Sequence, residues 1–204
     1  YSDLIFTRFS QGRERRQNST DSMENGKVQI NLQFIKKLLR SHTLNPQKSF
    51  PDRSLTAWNV CMHAGPGPIR NSQTTGSLIA QFSGEKPTFW ATGTSSPCLS
   101  VFKPVWMEGG LPDIGPQPGQ FFDEKTLWWK HELLHRRVLQ DFTKRKAVLK
   151  EQIATLEEQI DTLIPTKSDL NEKTMQQISD KAFQMEREAF DSWNSMIESL
   201  EKEH

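Results

Sequence analysis

The spacing of hydrophobic residues changes along this chain, and each spacing predicts a different secondary structure. An apolar run in Ser2–Phe9 predicts a strand that leads into a helix. Apolar residues then recur every three or four positions, which predicts a short amphipathic helix over Ile30–Leu39. The basic residues of that segment, Lys36, Lys37 and Arg40, are expected on its solvent face.

The middle of the chain has the patterns of strands and turns. Three strand-like runs predict strands at Ala57–His63, Thr75–Phe82 and Thr88–Ala91. Ser83–Pro87 has the composition of a hairpin connection between the last two. Four glycines and three prolines in Met107–Gly119 predict an irregular segment that follows the strands.

From Asp123 onward the apolar spacing is helical. Asp123 is expected to cap a first helix that could run to Ile164, because Pro165 is the residue that stops it. A row of apolar residues lies on each side of this proline, and within each row, which we call a seam, the residues are spaced three or four positions apart. They predict an antiparallel helical hairpin of coiled-coil type, with Lys, Glu and Gln on its solvated outer faces. The seams are Leu149, Ile153, Leu156, Ile160 and Leu163, then Met175, Ile178, Ala182, Met185, Ala189, Trp193, Met196 and Leu200.

Composition narrows the classes of function. The 204 residues fit one large domain or one domain with an appendage, although 34% apolar residues is low for a self-contained domain. The net charge of +1 argues against nucleic acid or an anionic membrane surface as the main partner. No apolar run is long enough to span a bilayer. Asn18 begins a glycosylation acceptor pattern, which leaves the compartment open between cytoplasmic and secretory or lysosomal.

His131-Glu-Leu-Leu-His135 matches the zinc-peptidase pattern, in which two histidines bind the metal and the glutamate is the base. A third ligand is missing, because Glu157 and Glu158 lie about 33 Å further along a continuous helix. A packed helix with charged residues on its outer side explains the same pattern. The buried face predicted for that helix carries Trp128, Leu134 and Val138. We therefore expect no metal and no cofactor in this chain.

Three separated patches resemble the dipeptidase and secernin group of N-terminal-nucleophile hydrolases. These patches are Phe6–Arg15, Trp58–Trp106 and Leu127–Arg137, so the resemblance covers Leu4 to about Gln140. It implies an α+β fold that is part of a four-layer αββα sandwich, followed by a C-terminal antiparallel helical hairpin. Residues 1–122 would belong to the sandwich domain, and residues 123–204 would form a long helix and the hairpin.

In the family that these patches resemble, the thiolate of an N-terminal cysteine attacks the amide and its own α-amino group is the base. This chain begins at Tyr1, so we expect an upstream half of the same fold to supply the cysteine and this chain alone not to be catalytic. The resemblance implies the C-terminal chain of a cysteine-type dipeptidase, a thiol protease of heteromeric assembly that binds a dipeptide substrate. The candidate substrate-binding residues are Arg8, His63, Ser72, Gln73, Thr74 and Thr75.

Other interpretations remain open. The fold can be kept in a catalytically inactive structural or assembly subunit that docks into a larger assembly through the helical hairpin. Cys61 and Cys98 are expected to be buried free thiols, although one bridge between them is possible. Cys98 is not expected to be a nucleophile, because its surroundings lack a sequential base and the glycine pattern of a nucleophile elbow.

Overall fold

The computed structural model describes residues 12–24, 29–42, 59–65, 72–82, 86–165 and 170–202. Within these residues the chain forms five helices and one small antiparallel sheet, so the fold is α+β. The helices are α1 (Gly12–Glu24), α2 (Leu32–Leu39), α3 (Leu127–Gln140), α4 (Phe142–Thr162) and α5 (Glu172–Lys202). The strands are β1 (Leu78–Gln81), β2 (Thr88–Ala91) and β3 (Lys103–Val105).

The sheet has the order β1-β2-β3, and both pairs of strands are antiparallel. The predicted strand Thr88–Ala91 is confirmed as β2, and the run Thr75–Phe82 forms a strand only over β1. A strand over Ala57–His63 was wrong for residues 59–63, which are bends and irregular chain. The backbone there bonds to two separate segments instead of one partner strand: Cys61 N donates to the carbonyl of Ser41, and Thr74 N donates to that of Met62.

β3 has no clear signal in the sequence, because Pro104 at its centre cannot donate a ladder hydrogen bond. Within the described residues β3 pairs with β2 alone, and an edge position of this kind tolerates proline. The carbonyl of Pro104 instead accepts a hydrogen bond of 3.0 Å from Ser179 Oγ on α5. This bond is one of the contacts that fix α5 on the sheet.

A buried ion pair also joins the sheet to α5. Lys103 Nζ lies 2.5 Å from Glu186 Oε2, and both side chains are fully buried. The ammonium donates to the carbonyls of Thr92 and Val101 as well, and the carboxylate accepts the N–H of Val101. Burial lowers the pKa of Lys103 and raises that of Glu186, while their mutual attraction opposes both shifts. Glu186 is therefore an exception to the predicted solvated outer face of the hairpin.

The single helix predicted over Asp123–Ile164 was wrong, because the chain breaks at Asp141 into α3 and α4. Asp141 has φ −144° and ψ 73°, and its carboxylate accepts the N–H of Lys144 in the first turn of α4. A side-chain acceptor for the first free N–H groups is what begins a new helix. Thr126, rather than Asp123, is the N-cap of α3.

The antiparallel hairpin is confirmed as the pair α4 and α5. The start of α4 lies against the end of α5, where Arg145 Nη1 is 2.9 Å from Glu201 Oε1. Every residue of the two predicted seams is buried or half-buried. Phe183, Phe190 and Ile197 are buried too, so the apolar face of α5 is wider than the seam. It is wider because α5 packs against α3 and β3 as well as α4.

α2 confirms the predicted amphipathic helix, but its basic residues do not all face solvent. Lys36 is buried, with Nζ 3.7 Å from Glu157 Oε2 and 4.4 Å above the ring of Trp90. Arg40, just beyond the helix, is half-buried and binds both carboxylate oxygens of Glu157. The prediction was wrong for these two residues because α4 supplies a carboxylate that compensates their burial.

The remaining predictions concern the ends and the irregular segment. Met107–Gly119 contains neither helix nor strand, as predicted. The strand predicted for Ser2–Phe9, and with it Arg8, lies outside the described residues. Of the helices described, none combines the length and apolar character needed to cross a membrane.

Candidate functional site

Two of the three patches of resemblance meet inside the fold. The turn of residues 94–100, which follows β2, packs against one face of α3, and the segment 59–65 lies beside both. Six buried polar side chains meet there, and we call them the buried cluster. Its members are His63, Ser95, Ser96, His131, Glu132 and His135.

The backbone of the 94–100 turn is shaped to present hydroxyl groups to α3. Ser96 has φ 57°, in the left-handed region that a serine adopts only when its surroundings hold it there. Its N–H donates to the carbonyl of Thr74 at 2.8 Å, and its Oγ lies 3.0 Å from His135 Nε2. Ser100 Oγ donates back to the carbonyl of Ser95 at 2.8 Å and closes the turn.

A hydrogen-bonded series runs from Lys146 through three histidines to Glu132. Lys146 Nζ is 3.1 Å from His42 Nδ1, and His42 Nε2 is 3.0 Å from His63 Nε2. His63 Nδ1 is 2.8 Å from His135 Nε2, and His135 Nδ1 is 3.1 Å from Glu132 Oε2. With neutral rings, one tautomer for each histidine satisfies all four contacts, since every N–H then points towards the carboxylate.

Burial controls the charges of the cluster. It lowers the pKa of His63 to about 4 and that of His131 to about 3, so both rings are neutral near pH 7. Burial alone would raise the pKa of Glu132, but hydrogen bonds from His135 and Ser95 and the charge of Arg136 outweigh it and lower the pKa to about 2. The neutral imidazoles of His63 and His131 therefore lie in the same cluster as one ionised carboxylate.

The cluster reaches the surface at Gln73 and Arg136, which we call the rim. Gln73 Nε2 donates to Glu132 Oε2 at 3.0 Å, and Arg136 Nε donates to Glu132 Oε1 at 2.6 Å. Arg136 Nη2 also donates to Gln73 Oε1 at 3.1 Å. About half of the Arg136 side chain remains exposed, at 51%. The rim is thus the part of the site that meets solvent.

The predicted binding residues lie at different depths. His63 is inside the buried cluster, and Gln73 is in the rim. Thr74 Oγ1 accepts the N–H of Met62, so it satisfies backbone within the fold. Ser72 and Thr75 are exposed. Of the six candidates, Gln73 contacts Glu132 directly and His63 is linked to it through His135, whereas Arg8 lies outside the described residues.

The HELLH segment contributes more than the packed helix that the sequence predicted. Leu134 is buried as predicted, whereas Leu133 is exposed. Glu132, a charged residue expected on the outer side, is buried together with His131 and His135. His131 Nε2 lies 2.7 Å from the carbonyl of Ser95, which explains why this ring faces inward. The motif itself was the available signal, and the absence of a third ligand led to its rejection. Within the described part of the chain its histidines belong to no group of three metal-ligating side chains.

Cys61 and Cys98 are buried free thiols, as predicted. Each sulfur lies 3.5 Å from His63 Nε2, on the side of the ring that faces away from His135. No family model matches the chain, and no curated protein that was compared with it matches either. The resemblance to N-terminal-nucleophile hydrolases therefore rests on the three patches of sequence alone and stays a prediction.

Proposed function

We propose that this chain is the C-terminal part of a cysteine-type dipeptidase, whose nucleophile is an N-terminal cysteine on an upstream part of the same four-layer αββα fold. The observation that best supports this is the contact of both rim residues with Glu132. Gln73 comes from one patch of resemblance and Arg136 from another. Their meeting at a partly exposed edge is what a shared substrate site requires.

The rim has chemistry suited to one end of a dipeptide. A dipeptide carries a carboxylate, and a guanidinium fixed in position is the strongest side-chain partner for that group. Arg136 is held by Glu132 through Nε and by Gln73 through Nη2, and Nη1 has no partner among the described residues. An orientation fixed in advance lowers the entropy lost on binding. In this proposal Arg136 binds the substrate carboxylate and Glu132 positions it.

Ser96, His135 and Glu132 have the order and distances of a serine–histidine–carboxylate triad, at 3.0 and 3.1 Å. Two features weigh against Ser96 as the nucleophile. Its side chain is fully buried, and His63 lies only 2.8 Å from the same His135 nitrogen that would take its proton. We therefore assign His135 a positioning role and leave the nucleophile on the upstream cysteine.

The same burial favours a second candidate function, a catalytically inactive assembly subunit. His63, Ser96, His131 and His135 are all 2% exposed or less, and in this candidate the cluster only holds the fold together. In that case the helical hairpin would be the docking element. This candidate predicts that changes at the rim alter stability alone.

The two candidates are separated by a matched pair of conservative changes on α3. Arg136→Lys removes the planar donor from the rim, whereas Arg137→Lys alters a residue that instead binds Asn194 and Glu198. We expect Arg136→Lys to lower kcat/KM for dipeptide hydrolysis by about tenfold to a hundredfold, as loss of a charge-assisted hydrogen bond does. Arg137→Lys is expected to retain near wild-type turnover. Equal activity of the two variants per folded molecule would contradict a substrate role for the rim.

A further inference from the structure

Four potential metal ligands from three segments lie together beside the buried cluster. His42 follows α2, Cys61 and His63 belong to the segment 59–65, and Cys98 lies in the 94–100 turn. Their ligand atoms all lie within 4.8 Å of one another. His42 is half-buried, and the other three side chains are buried. Two thiols and two imidazoles in one small volume form a ligand set typical of zinc.

Three of the six distances between the ligand atoms agree with a tetrahedral ion. His63 Nε2 lies 3.5 Å from each of the sulfurs of Cys61 and Cys98 and 3.0 Å from His42 Nε2. Zinc bonds of about 2.3 Å to sulfur and 2.0–2.1 Å to nitrogen place tetrahedral ligands about 3.6 Å apart for sulfur and nitrogen and about 3.4 Å apart for two nitrogens. The three edges that meet at His63 are therefore within about 0.4 Å of those of a zinc site.

We propose that His42, Cys61, His63 and Cys98 bind one zinc ion through two thiolates and two imidazoles. The two thiolate charges balance the charge of the ion, so the occupied site adds no net charge to the interior. Four protein ligands leave no position open for water or substrate, and this is the arrangement of a structural rather than a catalytic zinc site. This proposal departs from the expectation of no metal in this chain, which was argued from the HELLH histidines alone.

The buried cluster supplies the second layer of contacts that metal-bound histidines need. When His63 binds zinc through Nε2, its Nδ1 carries the hydrogen and donates to His135 Nε2 at 2.8 Å. His135 in turn donates from Nδ1 to Glu132 at 3.1 Å. A series that ends on a carboxylate fixes the tautomer and orientation of a ligating histidine. The geometry of the cluster thus orients His63 Nε2 towards the two sulfurs.

Two contacts change when the metal binds. Coordination through both Nε2 atoms replaces the hydrogen bond between His42 and His63, and the contact of Lys146 with His42 changes as well. Lys146 Nζ lies 3.1 Å from His42 Nδ1, and an ammonium and the N–H of a metal-bound imidazole are both donors. Lys146 is half-buried, so its ammonium, which lies 5.0 Å from the centre of the Phe142 ring, can turn towards solvent. Its positive charge next to the site favours the thiolate forms of the two cysteines.

Among the residues that the structure describes, the ion would join segments that otherwise share only isolated backbone hydrogen bonds. The segment 59–65 is held through isolated bonds, such as Cys61 N to the carbonyl of Ser41 at 3.2 Å. Binding energy at a structural zinc site is folding energy, because the assembled site is absent from the unfolded chain. Zinc in this position would fix the segment that carries His63 against the 94–100 turn.

The test measures metal in the protein purified under reducing conditions without chelator. We expect about one zinc per chain by elemental analysis, and X-ray absorption with two sulfur ligands at about 2.3 Å and two nitrogen ligands at about 2.0–2.1 Å. Cobalt exchanged into the wild-type protein should give the ligand-field and thiolate charge-transfer bands of a tetrahedral site. These measurements need no variant, and they do not depend on dipeptidase activity.

Zinc binding by single-residue variants tests which side chains are the ligands of the ion. Cys98→Ser should lose the bound zinc, and His131→Gln, which alters the HELLH motif but no proposed ligand, should keep it. His135→Leu should weaken zinc binding by about 10- to 100-fold, as loss of an outer contact does. Fully reduced wild-type protein that takes up neither zinc nor cobalt would overturn the proposal. So would a Cys61–Cys98 disulfide in the purified protein, or zinc that is lost in His131→Gln and retained in Cys98→Ser.

Discussion

Nδ1 of His63 lies 2.8 Å from Nε2 of His135, so the segment before the sheet and helix α3 share a buried hydrogen bond. The other nitrogen of His135 contacts Glu132, whose carboxylate also accepts bonds from Ser95 and Arg136. Glu132 therefore sets the orientation of groups on three separate parts of the chain. Its removal should affect the whole cluster.

We predict that Glu132→Gln lowers the free energy of unfolding by about 3 kcal/mol, since buried donors around a carboxylate lose a charged acceptor. The amide group of the new glutamine would also place a donor against His135 or Arg136. Urea denaturation of the purified protein measures the change. Glu198→Gln is the control, because Glu198 forms its ion pair with Arg137 at a partly exposed position and should cost less than about 1 kcal/mol. An equal decrease in the free energy of unfolding for the two variants would show that the hydrogen bonds of Glu132 stabilise the fold no more than a partly exposed ion pair does.

His131 provides a prediction about pH. Burial lowers its folded pKa to about 3, below the ordinary value of 6.5. Between about pH 6.5 and pH 3 the His131 side chain therefore binds a proton in the unfolded chain but not in the folded chain. The free energy of unfolding decreases as the pH falls through this range. His131→Gln keeps an N–H donor for the carbonyl of Ser95 but cannot take up the proton.

Between pH 7 and pH 5 the wild-type protein should therefore lose stability more steeply than His131→Gln. The slopes should differ by up to one proton, or about 1.4 kcal/mol per pH unit well below pH 6.5. Other groups that titrate in this range, including His63, contribute to both proteins and cancel in the comparison. Parallel stability curves would show that His131 is not held in its neutral form by the fold.

The elements that the sequence predicted are those with local causes. The apolar spacing of α2 and the two seams of the hairpin is visible within a few turns, and β2 is bounded by turn residues on both sides. The edge strand β3 was missed because tertiary contacts decide it. The break at Asp141 has a local cause, the side-chain cap of α4, and was missed because the apolar spacing continues across it. The burial of Lys36 depends on Glu157, which lies 121 positions further along the chain.

In the candidate site, too, the residues with a local sequence signal were predicted and those placed by tertiary contacts were not. His63 and Gln73 were anticipated from the turn-rich block in which they lie. The inward orientation of His131, Glu132 and His135 was not, because it depends on the hydroxyls and carbonyls of the 94–100 turn. Cys61 and Cys98 were expected to be buried thiols, but their approach to His42 and His63 follows from tertiary structure. Neither cysteine has the close cysteine spacing by which zinc sites are usually found in sequences.

Covalent labelling tests most directly whether this chain belongs to a dipeptidase with an N-terminal cysteine nucleophile. The purified active protein would be treated with a dipeptide-like chloromethyl ketone, and the labelled residue would be located by N-terminal sequencing and peptide mass spectrometry. We predict inactivation with one label, on a cysteine that is the first residue of an upstream polypeptide. A label on Ser96 or Cys98, or an active protein in which no polypeptide begins with cysteine, would contradict this assignment.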